Sequence, residues 1–441
     1  MKLLKTIQSI CPGQSPREMK NNIPWWQQSI ILIAILSILL SRAGMVDFLY
    51  GDDTVFYKDA LTHPFASIVK PHAGYSQILC RALASLCLFL PDACVVPAFV
   101  FVPILTTVVV AAVIMNLSWI DATQRRVLAL GTVLLPHASE VYIYLCNANW
   151  TASLLPCLLL FQPNLGSIRT GRSSFTIFTM LILGLSSMYV AILSPLYGVR
   201  FLRMKRKSSG EAWLLVSIVL VSAVQMLIVI SNGFVMSATN DADPAFAPVF
   251  SPLVTMINAI FILPFASYVT SVGLLHEALH DIRILIPTAL LILVAYIAIG
   301  YLWFKADGKH KTCSLIFWGL GYYLLVTAAV RTINALQLYL PMRSCDRYFF
   351  LPYFFFTMAL LETLVIKRGA VARRVASFFV LTVLVAFYVF EWHITRAPDG
   401  ARMIWHQQLE KLRTTGTWDF NPKNGLCNST GIFERPPPVQ Q

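Results

Sequence analysis

Apolar stretches of roughly 17 to 25 residues recur along this 441-residue chain, joined by short polar segments, and the apolar positions run on within them without alternating. Runs of that kind predict membrane-spanning helices and argue against a β-barrel, whose strands alternate every second residue. The first predicted span covers Trp26 to Val46. An outer segment, 47–92, follows, and further spans are predicted over Cys94 to Asn116, Val127 to Ile143 and Asn149 to Phe161. Phe175 to Val199 is interrupted by GLSSMY and reads as two half-helices. A span from Ala212 to Gly233 opens a second outer segment, 234–281, whose apolar helix near Val254 to Leu275 either crosses or is tucked in. Ile284 to Phe304, Ser314 to Val330, Phe349 to Ile366 and Val375 to Trp392 complete the path.

In the first outer segment, Gln77, Arg81 and Ser85 form a polar stripe at helical spacing against Ile78, Leu79, Ala82, Leu83 and Leu86. Such a helix either spans or lies at the interface; keeping Arg125 and Arg126 on the inner side favours the interface. The expected fold is therefore an all-α polytopic membrane protein with about eleven transmembrane helices and interfacial helices in the first outer loop. Residues 1–26 form a cytoplasmic tail, 27–392 the bundle, and 393–441 a short extracytoplasmic cap.

Composition agrees with that pattern. Hydrophobic residues make up 57% and charged residues 12% of the chain, too little charge for a water-facing skin. The net charge of +13 sits in short clusters that flank apolar runs, such as Arg200, Arg203, Lys205, Arg206 and Lys207. Positive-inside sorting accounts for these clusters, and nucleic acid is not indicated as a partner. The first 26 residues carry Lys2, Lys5, Arg17 and Lys20 without a short apolar core and cleavage site, so no cleaved signal is expected. Nine cysteines show no CxxC pairing and most fall in apolar runs; zinc has no support, and a Cys345 to Cys427 disulfide on the outer side stays open.

Candidate chemistry gathers at the outer joints. Asp52 and Asp53 are adjacent just beyond the first span, where one carboxylate could take a proton from a hydroxyl; the same pair also reads as a solvated turn capping a short helix. Glu140 ends an apolar run and is followed by Asn147, Asn149 and Trp150, types suited to sugar hydroxyls and pyranose faces, or equally to an interfacial aromatic belt. Arg343 and Arg347 lie on the outer side, against positive-inside sorting, and suit a lipid phosphate unless Arg347 pairs with Asp346 or Glu140. Lys70, Arg81, His72 and Tyr75 could join the same anion site. No P-loop, HExxH, GxSxG or dinucleotide fingerprint is present.

The segments GDDTVFYKD, KPHAGYSQILCRALA, SEVYIYLCNANW and DRYFFLP, in this layout, resemble the GT-C class of membrane glycosyltransferases. Within it the chain is similar to bacterial proteins that add a glucosyl or related group to O-antigen. The resemblance implies transfer from a polyprenyl-phosphate sugar to a glycan or lipid acceptor on the periplasmic side of the bacterial inner membrane, with Asp52 or Asp53 as base. It implies Arg343, Arg347, Lys70 and Arg81 at the donor phosphate, and Glu140, Asn147, Asn149, Trp150, His72 and Tyr75 near sugar or acceptor. No metal ligand or certain cofactor is read, and divalent-metal use stays open. The short C-terminal part departs from members with a large outer domain. Competing readings are an O-antigen polymerase or ligase and a lipid-linked oligosaccharide transporter.

Overall fold

A computed structural model describes residues 23–43, 49, 52–72, 74–117, 120–135, 145–162, 165–204, 207–232, 281–305, 308–332 and 350–364, with 377, 378, 380–382, 385 and 410. Glu140, Arg343, Arg347, Cys345, Cys427, nearly all of the second outer segment and nearly all of the C-terminal cap lie outside the described residues.

Among the described residues the regular structure is helical and no strand is present. The elements are α1 (Trp25–Ala43), α2 (Asp52–Thr62), α3 (Ala66–Val69), α4 (Ile78–Leu86), α5 (Asp92–Met115), α6 (Ala122–Leu134), α7 (Ala148–Ala152), α8 (Leu154–Leu159), α9 (Gly171–Gly184), α10 (Met188–Arg203), α11 (Ser209–Ser231), α12 (Ile282–Lys305), α13 (Gly308–Thr332) and α14 (Phe350–Leu364). Helix α5 packs on α1, α6 and α7; α9, α10 and α11 form a second group; α13 packs along α14, which also reaches α6 and α7. The short helices α2, α3 and α4 pack on one another.

Among the described residues two helices, α5 and α11, are long and apolar enough to cross a membrane. Their outward faces are apolar: Phe101, Leu105, Val109 and Val113 are exposed on α5, and Trp213, Val216, Leu220 and Leu227 on α11. The core helix of a water-soluble protein would hide such a stripe. Eleven crossings are not reached by the described helices, and local chemistry explains part of the difference. The span expected over Val127 to Ile143 starts earlier, at a capping box in which Asp121 accepts from Thr123 N at 2.8 Å and Gln124 Oε1 accepts from Asp121 N at 3.3 Å. The described helix ends at Leu134, where Leu135 turns extended before Pro136, and the rest of that span lies outside the described residues. Thirteen residues rise about 20 Å, short of a hydrocarbon core of about 30 Å. The span expected over Asn149 to Phe161 is instead two short helices divided at Ser153, since Pro156 has no N–H for the Ala152 carbonyl.

The break expected at GLSSMY is present. Helix α9 ends at Gly184 and α10 starts at Met188, capped by Ser187, whose hydroxyl accepts from Tyr189 N. A Cβ on Gly184 would lie 2.4 Å from Val221 Cγ2, so glycine allows α9 to approach α11. One end of the fold collects charge: Arg126 donates to Gln27 at 2.6 Å, and Gln124 donates to Glu362 at 3.3 Å. These bonds join the starts of α1 and α6 to the end of α14, three ends that the expected topology puts on the inner side.

Candidate functional site

Asp53 sits in the first turn of α2 and is 1% exposed. The solvated-turn reading of the acidic pair therefore does not hold for Asp53. Its two carboxylate oxygens accept from the backbone N–H groups of Leu145 at 2.8 Å and Cys146 at 2.6 Å. Those amides open the 3-10 turn Leu145–Asn147 that runs into α7, where N–H groups have no intrahelical acceptor. Asp53 thus caps a helical segment more than ninety residues further along the chain. Phe56, one turn later, is fully buried beneath Arg81, whose guanidinium carbon is 4.8 Å from the ring centre.

The stripe on α4 faces the protein, not water. Gln77, Arg81 and Ser85 are buried, while Leu86 is exposed and Ile78, Leu79, Ala82 and Leu83 are half-exposed. Polar residues inward and apolar residues outward is the arrangement expected in an apolar solvent. Arg81, 1% exposed, bonds to Asp59 Oδ2 at 3.0 Å and to the Ser67 carbonyl at 3.2 Å. Asp59 also holds Lys70 at 2.7 Å. Burial pushes the Asp59 carboxyl up, but its hydrogen bonds and charge contacts with Lys70 and Arg81 outweigh that and leave it below the usual carboxylate range. Two of the four cations expected at a donor phosphate, Lys70 and Arg81, consequently share one carboxylate, and this cluster carries one net positive charge.

A buried polar seam continues from the start of α4. Gln225, fully buried in α11, accepts from Ser76 N at 3.0 Å and donates to Ser76 O at 3.3 Å and Gly184 O at 2.7 Å. Leu79 N donates to Ser186 Oγ at 3.0 Å, and Ile78 N to Leu185 O at 3.3 Å. Cys80 Sγ donates to Leu145 O at 3.0 Å, and Asn149 Nδ2 reaches Gln77 Oε1 at 3.5 Å. Asn149 Oδ1 and Thr151 Oγ1 are buried with no protein partner. Such atoms are costly unless water or a ligand meets them. Asn147 is buried nearby at the end of the 3-10 turn.

Other expected residues take packing roles. Trp150 is buried edge-on against Tyr189 at 5.4 Å, so its indole is neither an interfacial belt nor an open sugar platform. His72 packs edge-on against Phe56 at 4.9 Å. The backbones of His72 and Tyr75 pair in a tight turn, with Gly74 at φ 78° in the left-handed region that favours glycine. Burial pushes the Cys87 thiol up to about 11, and the charge of Asp53 adds to the effect.

Three separately chosen sequence segments thus meet: the start of α2, the His72–Arg81 stretch, and Leu145–Trp150. Asp59 and Gln225 were not foreseen. A lone glutamine within a 23-residue apolar helix was the available signal for Gln225. Among the described residues no group of three metal-ligating side chains occurs. A second buried charge pair lies elsewhere: Arg200 bonds to Glu211 at 2.6 Å and to the Leu159 carbonyl, while Glu211 accepts from Leu165 N at 2.9 Å. No family model matches the chain, and a search among curated proteins finds no match.

Proposed function

We propose that the chain is a polytopic membrane glycosyltransferase that moves a sugar from a polyprenyl-phosphate donor to a glycan or lipid acceptor on the outer face of a bacterial inner membrane. The observation that carries this reading is the junction at Asp53, where three sequence-distant polar segments meet within an apolar helical assembly. In the proposed mechanism the acceptor hydroxyl attacks the anomeric carbon in a single displacement. Asp52 takes the hydroxyl proton, and Asp53, already engaged by two backbone amides, holds the loop. Cationic side chains stabilise the departing lipid phosphate, with Arg343 and Arg347 completing the set begun by Lys70 and Arg81. Asn149 and Asn147 meet sugar hydroxyls; the unpartnered Asn149 Oδ1 supports that role.

The transporter reading is weaker. Alternating access needs polar groups that trade partners, whereas Gln225 on α11 has both ends of its amide bonded, to Ser76 just before α4 and to Gly184 at the end of α9. The test is incubation of membranes containing the full chain with radiolabelled polyprenyl-phosphate sugars, followed by analysis of the polysaccharide. Transfer lost in Asp52→Asn, with normal protein levels, supports the reading. Transfer retained in Asp52→Asn removes the base assignment, and no transfer from any polyprenyl-phosphate donor removes the substrate class.

A further inference from the structure

We propose that the groove between α12 and α13 binds an anionic phospholipid, with an acyl chain between the helices and the headgroup on the lysines at the helix ends. The groove is lined by Tyr296, Gly300 and Trp303 on α12 and by Leu315, Trp318 and Tyr322 on α13. Gly300 opens a notch in this wall, since a Cβ built there meets no atom within 4 Å. Large aromatic surfaces around an unfilled notch suit a flexible hydrocarbon chain.

Charge selects the occupant. Lys311 Nζ lies 5.6 Å from the centre of the Trp303 ring and 5.1 Å from that of Phe304, so an ammonium caps the aromatic surface that lines the groove. Lys305 Nζ, at the end of α12, lies 5.7 Å from the centre of the Tyr301 ring. Trp303 Nε1 donates to the Lys311 carbonyl at 3.2 Å, which ties the lining to the turn that carries the lysines. Lys305 ends α12 and Lys311 lies in the first turn of α13. A zwitterionic lipid would fill the groove as well but would gain little from these ammonium groups. The site is separate from the Asp53 junction and does not depend on the glycosyltransferase reading.

The full chain, purified in detergent, is titrated with phosphatidylglycerol, phosphatidylcholine or inorganic phosphate, reading thermal unfolding and lipid retained in native mass spectrometry. Phosphatidylglycerol should raise the unfolding midpoint and be retained, while the other two do neither. Lys305→Gln and Lys311→Gln should each weaken phosphatidylglycerol binding by about fivefold, and high salt should do the same. Gly300→Phe, at a position where a Cβ meets no atom within 4 Å, should remove retention, and a cooperative lipid-free transition reports that the helices still pack. Equal retention of the two lipids, a response to inorganic phosphate matching that to phosphatidylglycerol, or full retention in Gly300→Phe would overturn the proposal.

Discussion

Replacing Asp53 by asparagine isolates the bond that joins the first outer segment to Leu145–Ala152. Both carboxylate oxygens accept buried backbone N–H groups, at 2.8 and 2.6 Å. An amide keeps one acceptor and turns its NH2 toward the other N–H, so one charge-assisted bond is lost and one buried donor is left unpaired. Hydrogen bonds to charged groups contribute about 1.5–3 kcal/mol, and an orphaned buried group costs about 1–3 kcal/mol. A net loss of about 3 kcal/mol raises the population of the released junction by roughly two orders of magnitude. Cys146 and Cys80, buried at 7% and 0% exposure on either side of this contact, report the release. Alkylation of the full chain in detergent, read by mass spectrometry, should accelerate at both thiols in Asp53→Asn. Exposed Cys94 should label at its usual rate, and Asp52→Asn should leave all three unchanged. Cys146 and Cys80 as slow in Asp53→Asn as in the native chain would refute the capping argument.

Two further substitutions separate the partners of Asp59. Asp59→Asn strands Arg81, which is 1% exposed, and should cost about 3–5 kcal/mol, whereas Lys70→Gln, at a side chain 57% exposed, should cost no more than about 1 kcal/mol; equal shifts in thermal unfolding would contradict this. Because the folded Asp59 carboxyl lies below its unfolded value of about 4, its contribution is complete above that value and is lost as pH falls through the lower folded one. An acid titration of the unfolding midpoint should therefore fall less steeply in Asp59→Asn than in the native chain. Gly184→Ala places a methyl 2.4 Å from Val221 Cγ2 and should cost about 1–3 kcal/mol, with Val221→Ala restoring part of it. Absence of any rescue would move the cause away from the α9 and α11 contact.

Much of the local organisation was legible in the order of residues. The interruption at GLSSMY and the α4 stripe both depend on neighbours a few positions apart. What the α4 stripe faces was not local. Gln77 and Arg81 look like a wet face until the distant partners Asn149 and Asp59 are present to satisfy them. The same holds for Asp53, whose acceptor role depends on amides freed at the start of a turn far along the chain. Hydropathy continues through Pro136 and Pro156, whereas a proline has no N–H with which to carry a helix on. Trp150 illustrates the limit of residue type: an indole suits a sugar face or a core equally, and packing against Tyr189 decided between them.

We propose that this helical assembly lies in a membrane with the Asp53 junction at its outer side and the Arg200 to Glu211 pair at its inner side. Single cysteines introduced by Thr54→Cys and Ser208→Cys, each in a background with all nine native cysteines replaced by serine, test it in intact cells with a membrane-impermeant maleimide. Thr54→Cys should label from outside, and Ser208→Cys after permeabilisation alone. Labelling of both positions from the same side would contradict it.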